Sequence, residues 1–544
     1  MRRKTSILIS VIFVILCACL GWWLVVDLKN ALFPDKLAKS DHSSDPRKPS
    51  GQTNRYTPPH SFRSNQRDQF DDGTTVEMLA SANPNEAILH FPSADSYGGF
   101  LAALSQSKVT LEQRLDPLHA IRISYTDLAD LQELLENENI TTRSALSRVP
   151  DRPFPSSDLE PGAVGFGAEL LSWLGITGDH SSWGAGVKVA VLDTGIVPHS
   201  TLPPLAAISN IIEPPDNPDD TNGHGTAVAS IIAGRERQAS GIAPAVDLIS
   251  IRVSGEQGIT DSFSLAAGML AAIDAGADLI NLSLGSYEDS SLIQEATAMV
   301  QNSGILIVAA AGNDGQDNAA YPAAYQGVVS VGAVDGRGEH LNFSNFGSYL
   351  YITAPGYFIN TAWPGGKYVQ FSGTSASAPV VTGILAAIMS DGSGKKVSAT
   401  EALSLLTNYA DDAGIPGPDS EYGYGIVDIR RIINRSTPGI VDVAITDQRI
   451  VTTQQGQVLQ VTIQNRGTQA LINTLLDVSL PGGNRQSTIT TLVVGDSHTS
   501  SIPINLSSIP SGTSFQVVSS LSVNARTADI TPDNNQRADN FTAP

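Results

Sequence analysis

Hydrophobic and polar positions divide the chain into stretches with different periods. Met1-Arg2-Arg3-Lys4 precedes an uncharged apolar run from Ile7 to Val26, long enough to cross a hydrocarbon core. Residues 1–35 therefore read as an N-terminal signal anchor with its span at about 7–26 and its basic flank in the cytoplasm. The run is long for a signal-peptide core, and no clear A-x-A site follows it. From 36 to 75 aliphatic residues almost vanish, and Ser, Pro, Asp, Arg, Asn and Gln predominate, as in a flexible linker.

Residues 76–152 return to alternation. Strands are predicted at Glu86–Phe91, Val109–Glu112, Ala120–Tyr125 and Ile140–Ser147. Helices are predicted at Ser96–Ser107 and, with a cap and an amphipathic pattern, from Thr126 to Leu135. The order β-α-β-β-α-β is the ferredoxin-like arrangement. After a Pro-rich joint from Val149 to Pro161, residues 153–437 alternate apolar strand runs (Val187–Leu192, Asp247–Arg252, Leu279–Ser283, Ile305–Ala309, Val328–Val331) with helical ones. That predicts an α/β domain on a mostly parallel sheet, with any ligand beyond the strand C-termini. Residues 438–544 carry short strands at Ile440–Ile445, Val458–Ile463, Asn473–Ser479, Ser487–Val494 and Phe515–Val523. Separated by Gly, Pro and Asn turns, they predict an all-β sandwich of immunoglobulin size.

Composition narrows this little. A chain of 544 residues implies several domains, and 41% hydrophobic residues fit globular structure. A formal charge of −21 argues against nucleic acid as the main partner. The two cysteines, Cys17 and Cys19, both lie in the first apolar run, so the rest of the chain has no disulfide, no Cys metal site and no thiol nucleophile. Leu16-Cys17-Ala18-Cys19 faintly resembles a lipoprotein box, which would lipidate Cys19. Either reading leaves the remainder outside the cytoplasm, tethered to a membrane.

Three element ends in the α/β region carry candidate chemistry. Val189-Ala-Val-Leu-Asp193 closes a strand on an acid able to orient a histidine. Asn222-Gly-His224-Gly starts a helix with a candidate base. Phe371-Ser-Gly-Thr-Ser375-Ala-Ser-Ala-Pro379 starts another with a candidate nucleophile, where the helix dipole and free N–H groups favour negative charge. Ala309-Ala-Ala-Gly312-Asn313 ends a strand on an amide that could join the Ser375 N–H in stabilising an oxyanion. The chain order Asp, His, Ser is that of the subtilisin type of triad.

VAVLDTGI, NGHGTAVAS, AAAGN and GTSASAP together resemble the subtilase family of serine peptidases, over Gly184 to Ile432. The resemblance implies a subtilisin-like three-layer fold and a serine endopeptidase made as a zymogen. It implies Asp193 as orienting acid, His224 as general base and acid, Ser375 as nucleophile and Asn313 as oxyanion donor. It also implies a substrate cleft walled by Ser283, Leu284 and Gly285 on one side and Ala310, Ala311 and Gly312 on the other. Ala320-Tyr321-Pro322 would lie near its floor and Ser254–Gly258 along its far edge. No acid is evident there, so apolar P1 side chains are expected. Ala376-Ser377 departs from the commoner Met-Ala, and GTSASAP resembles the proprotein-convertase branch.

No cofactor is required on this reading. Calcium is a possible structural ion, although Gly234–Gly241 is short where many relatives carry a calcium loop; Asp216, Asp219 and Asp220 are alternative oxygen ligands or a solvated acidic loop. The ferredoxin-like segment resembles the family's propeptide, so the expected partners are polypeptide substrates, the chain's own propeptide-like domain and the membrane. Asp529–Asn535 looks like the last strand of adhesion-type immunoglobulin-like modules. The alternative reading is an inactive subtilase-fold scaffold that acts through this sandwich. His199 reads as structural, and His180 and His340 carry no legible role.

Overall fold

The structure, a computed structural model, describes residues 75–78, 85–137, 143–146, 149–150, 160, 162–217, 222–390, 396–454, 456–506, 509–523 and 528–543. The apolar run at 7–26, residues 36–74 of the expected linker, both cysteines, Asp219 and Asp220 lie outside them, while Thr75 belongs to a strand. Among the described residues no helix is long and apolar enough to cross a membrane.

The first sheet contains β1 (Thr75–Met78), β2 (Glu86–His90), β3 (Thr110–Leu115), β4 (Ala120–Ser124) and β5 (Arg143–Leu146), in the order β3-β4-β2-β1-β5. Helices α1 (Ala94–Leu104) and α2 (Leu128–Asn137) follow β2 and β4. Four strands and both helices match the expected order. The strand Thr75–Met78 does not: it lies between β2 and β5, antiparallel to the first and parallel to the second. Four residues are enough for a ladder once an unpaired edge is offered, but too few to show a period in the sequence. A two-residue strand, β6 (Val149–Pro150), follows.

The central sheet is parallel throughout. After the short helix α3 (Leu170–Trp173), its strands are β7 (Lys188–Asp193), β8 (Ala207–Asn210), β11 (Asp247–Arg252), β13 (Leu279–Leu282), β14 (Leu306–Ala310), β15 (Val329–Val334) and β16 (Ile352–Pro355). They are ordered β16-β15-β14-β13-β7-β11-β8. Between them lie the hairpin β9 (Arg235–Glu236) and β10 (Ala239–Ser240), and the short β12 (Ile259–Thr260). Helices α4 (His224–Ala233), α5 (Ser262–Asp274), α6 (Ser291–Asn302) and α7 (Thr374–Met389) cover the sheet; β17 (Ile359–Trp363) and β18 (Lys367–Phe371) form a hairpin before α7. Every residue of α4 and α7 is buried, which explains why neither helix carries an Asp, Glu, Lys or Arg. The two faces have separate cores. One joins Val189, Val191, Ile231 and Ile232 to Val380 and Ile384; the other joins Ala190, Leu192, Leu265 and Met269 to Leu292 and Val300. Ile88, Leu118 and Ala120 of the first sheet's domain belong to the second core.

After α8 (Ala399–Asn408) and α9 (Ile429–Asn434) come β19 (Val443–Thr453), β20 (Gly456–Asn465), β21 (Leu471–Ser479), β22 (Arg485–Leu492), β23 (Ser497–Pro503), β24 (Ser514–Ser522) and β25 (Gln536–Thr542). They form sheets β19-β20-β23 and β22-β21-β24-β25 around one shared apolar core. Two of these strands, β23 and β25, are polar enough to escape the pattern reading. Asp529–Asn535 is not the last strand: Pro532–Asn535 is a 3-10 turn leading into β25. Its polar side chains hold the sandwich entrance instead. Asp529 accepts from the Val443 and Thr531 N–H groups, and Asn534 donates to Asp442.

His340 gains a structural meaning here. The residue is only part-buried, but its Nε2 is enclosed without a hydrogen-bond partner, and the ring packs edge-on to Tyr422 and Phe346. Burial lowers it from 6.5 to about 4. Between those values the unfolded chain binds the extra proton, so stability present above pH 6.5 is lost as pH falls toward 4. His340→Gln should flatten the acid limb of a calorimetric stability profile in that window by up to about 3 kcal/mol.

Candidate active site

Asp193 is the last residue of β7, and strand period decides where its carboxylate goes. Val189 and Val191 face α4 and α7, whereas Ala190 and Leu192 face α5 and α6. The two-residue period turns Asp193 toward α4 and α7, the helices that begin at His224 and Thr374. There His224 Nδ1 lies 2.7 Å from Asp193 Oδ1 and 2.8 Å from Oδ2. The Thr194 N–H also donates to Oδ1, at 2.7 Å. Asp193, His224 and Ser375 are 1%, 1% and 3% exposed, so their interactions act in a weakly screened environment.

The start of α4 is held by its neighbours rather than by a side-chain cap on Gly223. Asn222 Oδ1 accepts the His224 N–H at 3.0 Å. Glu256 grips Asn222 twice, accepting its N–H at Oε2 (2.7 Å) and its Nδ2 at the backbone carbonyl (3.2 Å). Thr194 Oγ1 donates to the Asn222 carbonyl and accepts the Gly225 N–H. At Gly225 a Cβ would lie 2.4 Å from the Gly195 carbonyl oxygen and 3.1 Å from Asp193 Cβ. Strand end and helix start therefore meet backbone to backbone.

Ser375 lies in the first turn of α7, behind Gly373 at φ +124, a conformation open to glycine. Asn313 Oδ1 accepts from both the N–H (2.8 Å) and the hydroxyl (2.9 Å) of Thr374. That fixes the amide oxygen toward the helix, and the NH₂ end carries the donors. Pro379 has no N–H to give the Ser375 carbonyl four residues earlier. The Ser283 hydroxyl takes that place at 2.9 Å, while Ser375 Oγ donates to the Ser283 carbonyl at 3.1 Å. Asn281 Nδ2 supports Ser283 Oγ, and Thr382 supports Asn281. The four candidate residues of the triad and oxyanion site thus converge at the C-terminal edge of the sheet.

The six cleft residues lie beside them. β13 and β14 pair in register from Leu279/Leu306 to Leu282/Ala309. Beyond that, Ser283, Leu284 and Gly285 continue on one side and Ala310, Ala311 and Gly312 on the other. Ala320 and Tyr321 lie under Gly285, where a Cβ would be 3.6 Å from Ala320 Cβ. The far edge differs from the expectation. Gly255 and Gly258 form a turn, and the residues that present a strand edge are Ile259–Thr260, paired antiparallel with Thr260 opposite Val149 and Ile259 opposite Pro150.

His199 bonds the Lys367 carbonyl and the Thr201 N–H, and His180 bonds the Gly241 carbonyl. Among the described residues no group of three or more His, Cys, Asp or Glu could hold a metal ion. Glu256 is not legible as a support in the sequence because it reaches Asn222 from a loop 34 residues away. Gly225→Ala should cost about 100-fold in kcat on a peptide substrate, the size expected for displacing a catalytic group by about 1 Å, with folding checked by circular dichroism.

Comparison with known proteins places this geometry. The model of the Subtilase family matches residues 184–425. A thermostable alkaline protease of Halalkalibacterium halodurans is 41% identical over 210 residues, 38% of this chain and 58% of that protein. Alkaline elastase YaB of a Bacillus species is 36% identical over 246 residues, 45% of this chain and 64% of that protein. Subtilisin Savinase of Lederbergia lenta is 35% identical over 246 residues, 45% of this chain and 89% of that protein. The chain spans less than two thirds of the length of the first two. A solved structure of the protease domain of PatA aligns at 30% identity over 47% of this chain and 96% of that chain, with a TM-score of 0.43. Matched over nearly the whole of Subtilisin Savinase, the chain belongs to the subtilase family.

Proposed function

We propose that this protein is a serine endopeptidase made as a zymogen, with its catalytic domain outside the cytoplasm. The observation that carries this is the buried Asp193–His224 pair at 2.7 Å, with His224 on a helix packed against α7, whose first turn holds Ser375. Asp193 accepts from Nδ1–H and leaves Nε2 as the basic ring atom. His224 takes the Ser375 proton as Oγ attacks the scissile carbonyl. Asn313 Nδ2 and the Ser375 N–H receive the oxyanion. His224 then protonates the leaving amine, and water hydrolyses the acyl-enzyme by the same steps in reverse. None of these steps needs a metal; calcium would be structural. Substrate would lie extended between Ser283–Gly285 and Ala310–Gly312, with apolar P1 side chains preferred.

The domain of β1–β5 is read as the propeptide. Its support is the shared core with α5 and α6, the Arg122–Asp261 ion pair at 2.5 Å, and His90 bonded to Glu295 at 2.8 Å. β6 then runs along Ile259–Thr260, the edge of the cleft. By contrast, the chain from Glu160 onward is strapped to the catalytic domain. The Val164 N–H donates to Asp335, and the Phe166 and Gly167 N–H groups donate to the Tyr357 and Phe358 carbonyls. Maturation is therefore expected upstream of Glu160. It would also separate the proposed membrane anchor at 7–26 from the enzyme. The C-terminal sheets are read as an immunoglobulin-like accessory domain.

Ser375→Ala should abolish both hydrolysis of casein and labelling by a fluorophosphonate, and leave the chain uncut. Retention of either reaction would remove Ser375 as nucleophile. Asn313→Ala should lower kcat by about 10²–10³-fold, the size known for loss of such a donor in a subtilisin. N-terminal sequencing of the mature protein should find a start no later than Glu160.

A further inference from the structure

We infer that the hairpin of β17 and β18 sets the spacing between His224 and Ser375, with Trp363 as its positioning residue, an inference that rests on the peptidase reading above. The bonds described so far hold His224 to β7 and to the cleft-edge loop. None of those partners lies on α7. The bodies of α4 and α7 share an apolar core, but the reacting groups lie in the first turn of each helix, and neither first turn has a side-chain cap. The two helix starts therefore depend on a link of their own.

The hairpin touches both. Its turn presses on the start of α4. A Cβ on Gly223 would lie 2.4 Å from Pro364 Cδ and 2.5 Å from Trp363 Cδ2 and Cε2, so the indole and the proline ring close over the residue before His224. Further along α4, the Ser230 hydroxyl accepts the Ala362 N–H at 3.0 Å. At the other end of the hairpin, buried Phe371 lies edge-on to the His224 ring, with centroids 5.2 Å apart. Phe371 also opens the stretch that carries Ser375, four residues on. That stretch is pinned at its root: Ser372 Oγ accepts the Phe358 N–H at 2.9 Å, and the Gly373 N–H donates to the Gly356 carbonyl at 2.9 Å.

The hairpin is itself braced from outside, which gives His199 a part in this assembly. His199 bonds the Lys367 carbonyl, opposite Trp363 in the ladder, at 3.1 Å. Its ring lies edge-on to Tyr368, with centroids 5.0 Å apart, and the Tyr368 hydroxyl donates to Glu236 on β9. A two-stranded ribbon is marginal alone; held at His199, Glu236 and Ser230 it acts as a strut between the helix of the base and the helix of the nucleophile. Trp363 is where that strut bears on the base. Removing its ring opens space beside Gly223 into which the start of α4 can shift, and a misplacement of about 1 Å between reacting groups costs about 100-fold in rate.

The test is steady-state kinetics on a peptide p-nitroanilide, which carries no residues beyond the scissile bond and so leaves out any contact of the hairpin with a longer substrate. The full protein is used after its own maturation, with kcat expressed per site titrated to completion by the fluorophosphonate. Trp363→Ala should lower kcat roughly 10- to 100-fold and slow fluorophosphonate labelling by a similar factor, with KM within about threefold of wild type. Trp363→Phe, which keeps a ring over Gly223, should return kcat to within about fivefold of wild type. His199→Ala acts by the same route, so its loss and that of Trp363→Ala should not add in the double variant. If circular dichroism shows that Trp363→Ala is unfolded, Trp363→Leu is read in its place, with a loss in kcat of about tenfold. Wild-type kcat per site in the Ala or Leu variant, a rise in KM alone, or an additive double variant overturns the role of the hairpin while leaving the peptidase reading intact. A wild-type protein that neither labels nor cleaves the substrate overturns both.

Discussion

The contact on which the site depends is the approach of two backbones. The end of β7 and the start of α4 touch at Gly195 and Gly225, with no room for a side chain between them. That distance is what lets a short carboxylate on a strand reach an imidazole on a helix at 2.7 Å. Everything around it acts to keep the distance. Thr194 bonds to both sides of His224, Asn222 receives its N–H, and Glu256 holds Asn222. Arg252 sits opposite Asp193 in the neighbouring strand; almost fully buried itself, it pairs with Glu256 at 2.5 Å. A buried cation of this kind is tolerated only when paired, which gives the cleft-edge loop a second reason to stay where it is.

A comparable logic holds Ser375. α7 is completely buried, so its position is set by packing along its whole length rather than by a cap. The proline that ends the GTSASAP motif frees the Ser375 carbonyl, and Ser283 bonds to it. That bond links Ser375 to the residues that follow β13. Asn313, held by Thr374, links it to the other wall. Ser375, Asn313 and the two walls are parts of one hydrogen-bonded assembly, so a disturbance in either wall reaches Ser375 through few bonds.

The flanking parts depend on the central sheet in different ways. The first domain shares an apolar core with α5 and α6 but adds polar contacts that water can compete for, such as His90 with Glu295. The C-terminal sheets have a core of their own and meet the catalytic region through charged groups: Arg466 bridges Asp411, and Arg537 approaches Glu339. A mostly polar joint between two separately cored units resembles interfaces between domains more than the inside of one.

Much of this was legible in the chain itself. Strand runs such as Val187–Leu192 and helical ones such as VVTGILAAIM are strongly patterned because burial on a sheet or within a helix layer leaves little choice of residue. Asp193, His224, Asn313 and Ser375 stand out because each closes or opens such an element. Thr75–Met78, β23 and β25 were not legible, being too short or too polar to show a period. Glu256 and the hydrogen bonds of Tyr287 with Asp314 and Asn345 were not legible either. The sequence by itself determined the element types, their order and the chemistry at their ends, because those follow from local periodicity and residue type. Which distant side chain meets which was decided only by the tertiary structure, because hydrogen bonds between residues 27 or 58 positions apart, such as Tyr287 with Asp314 and with Asn345, exist only after the sheet brings their loops together.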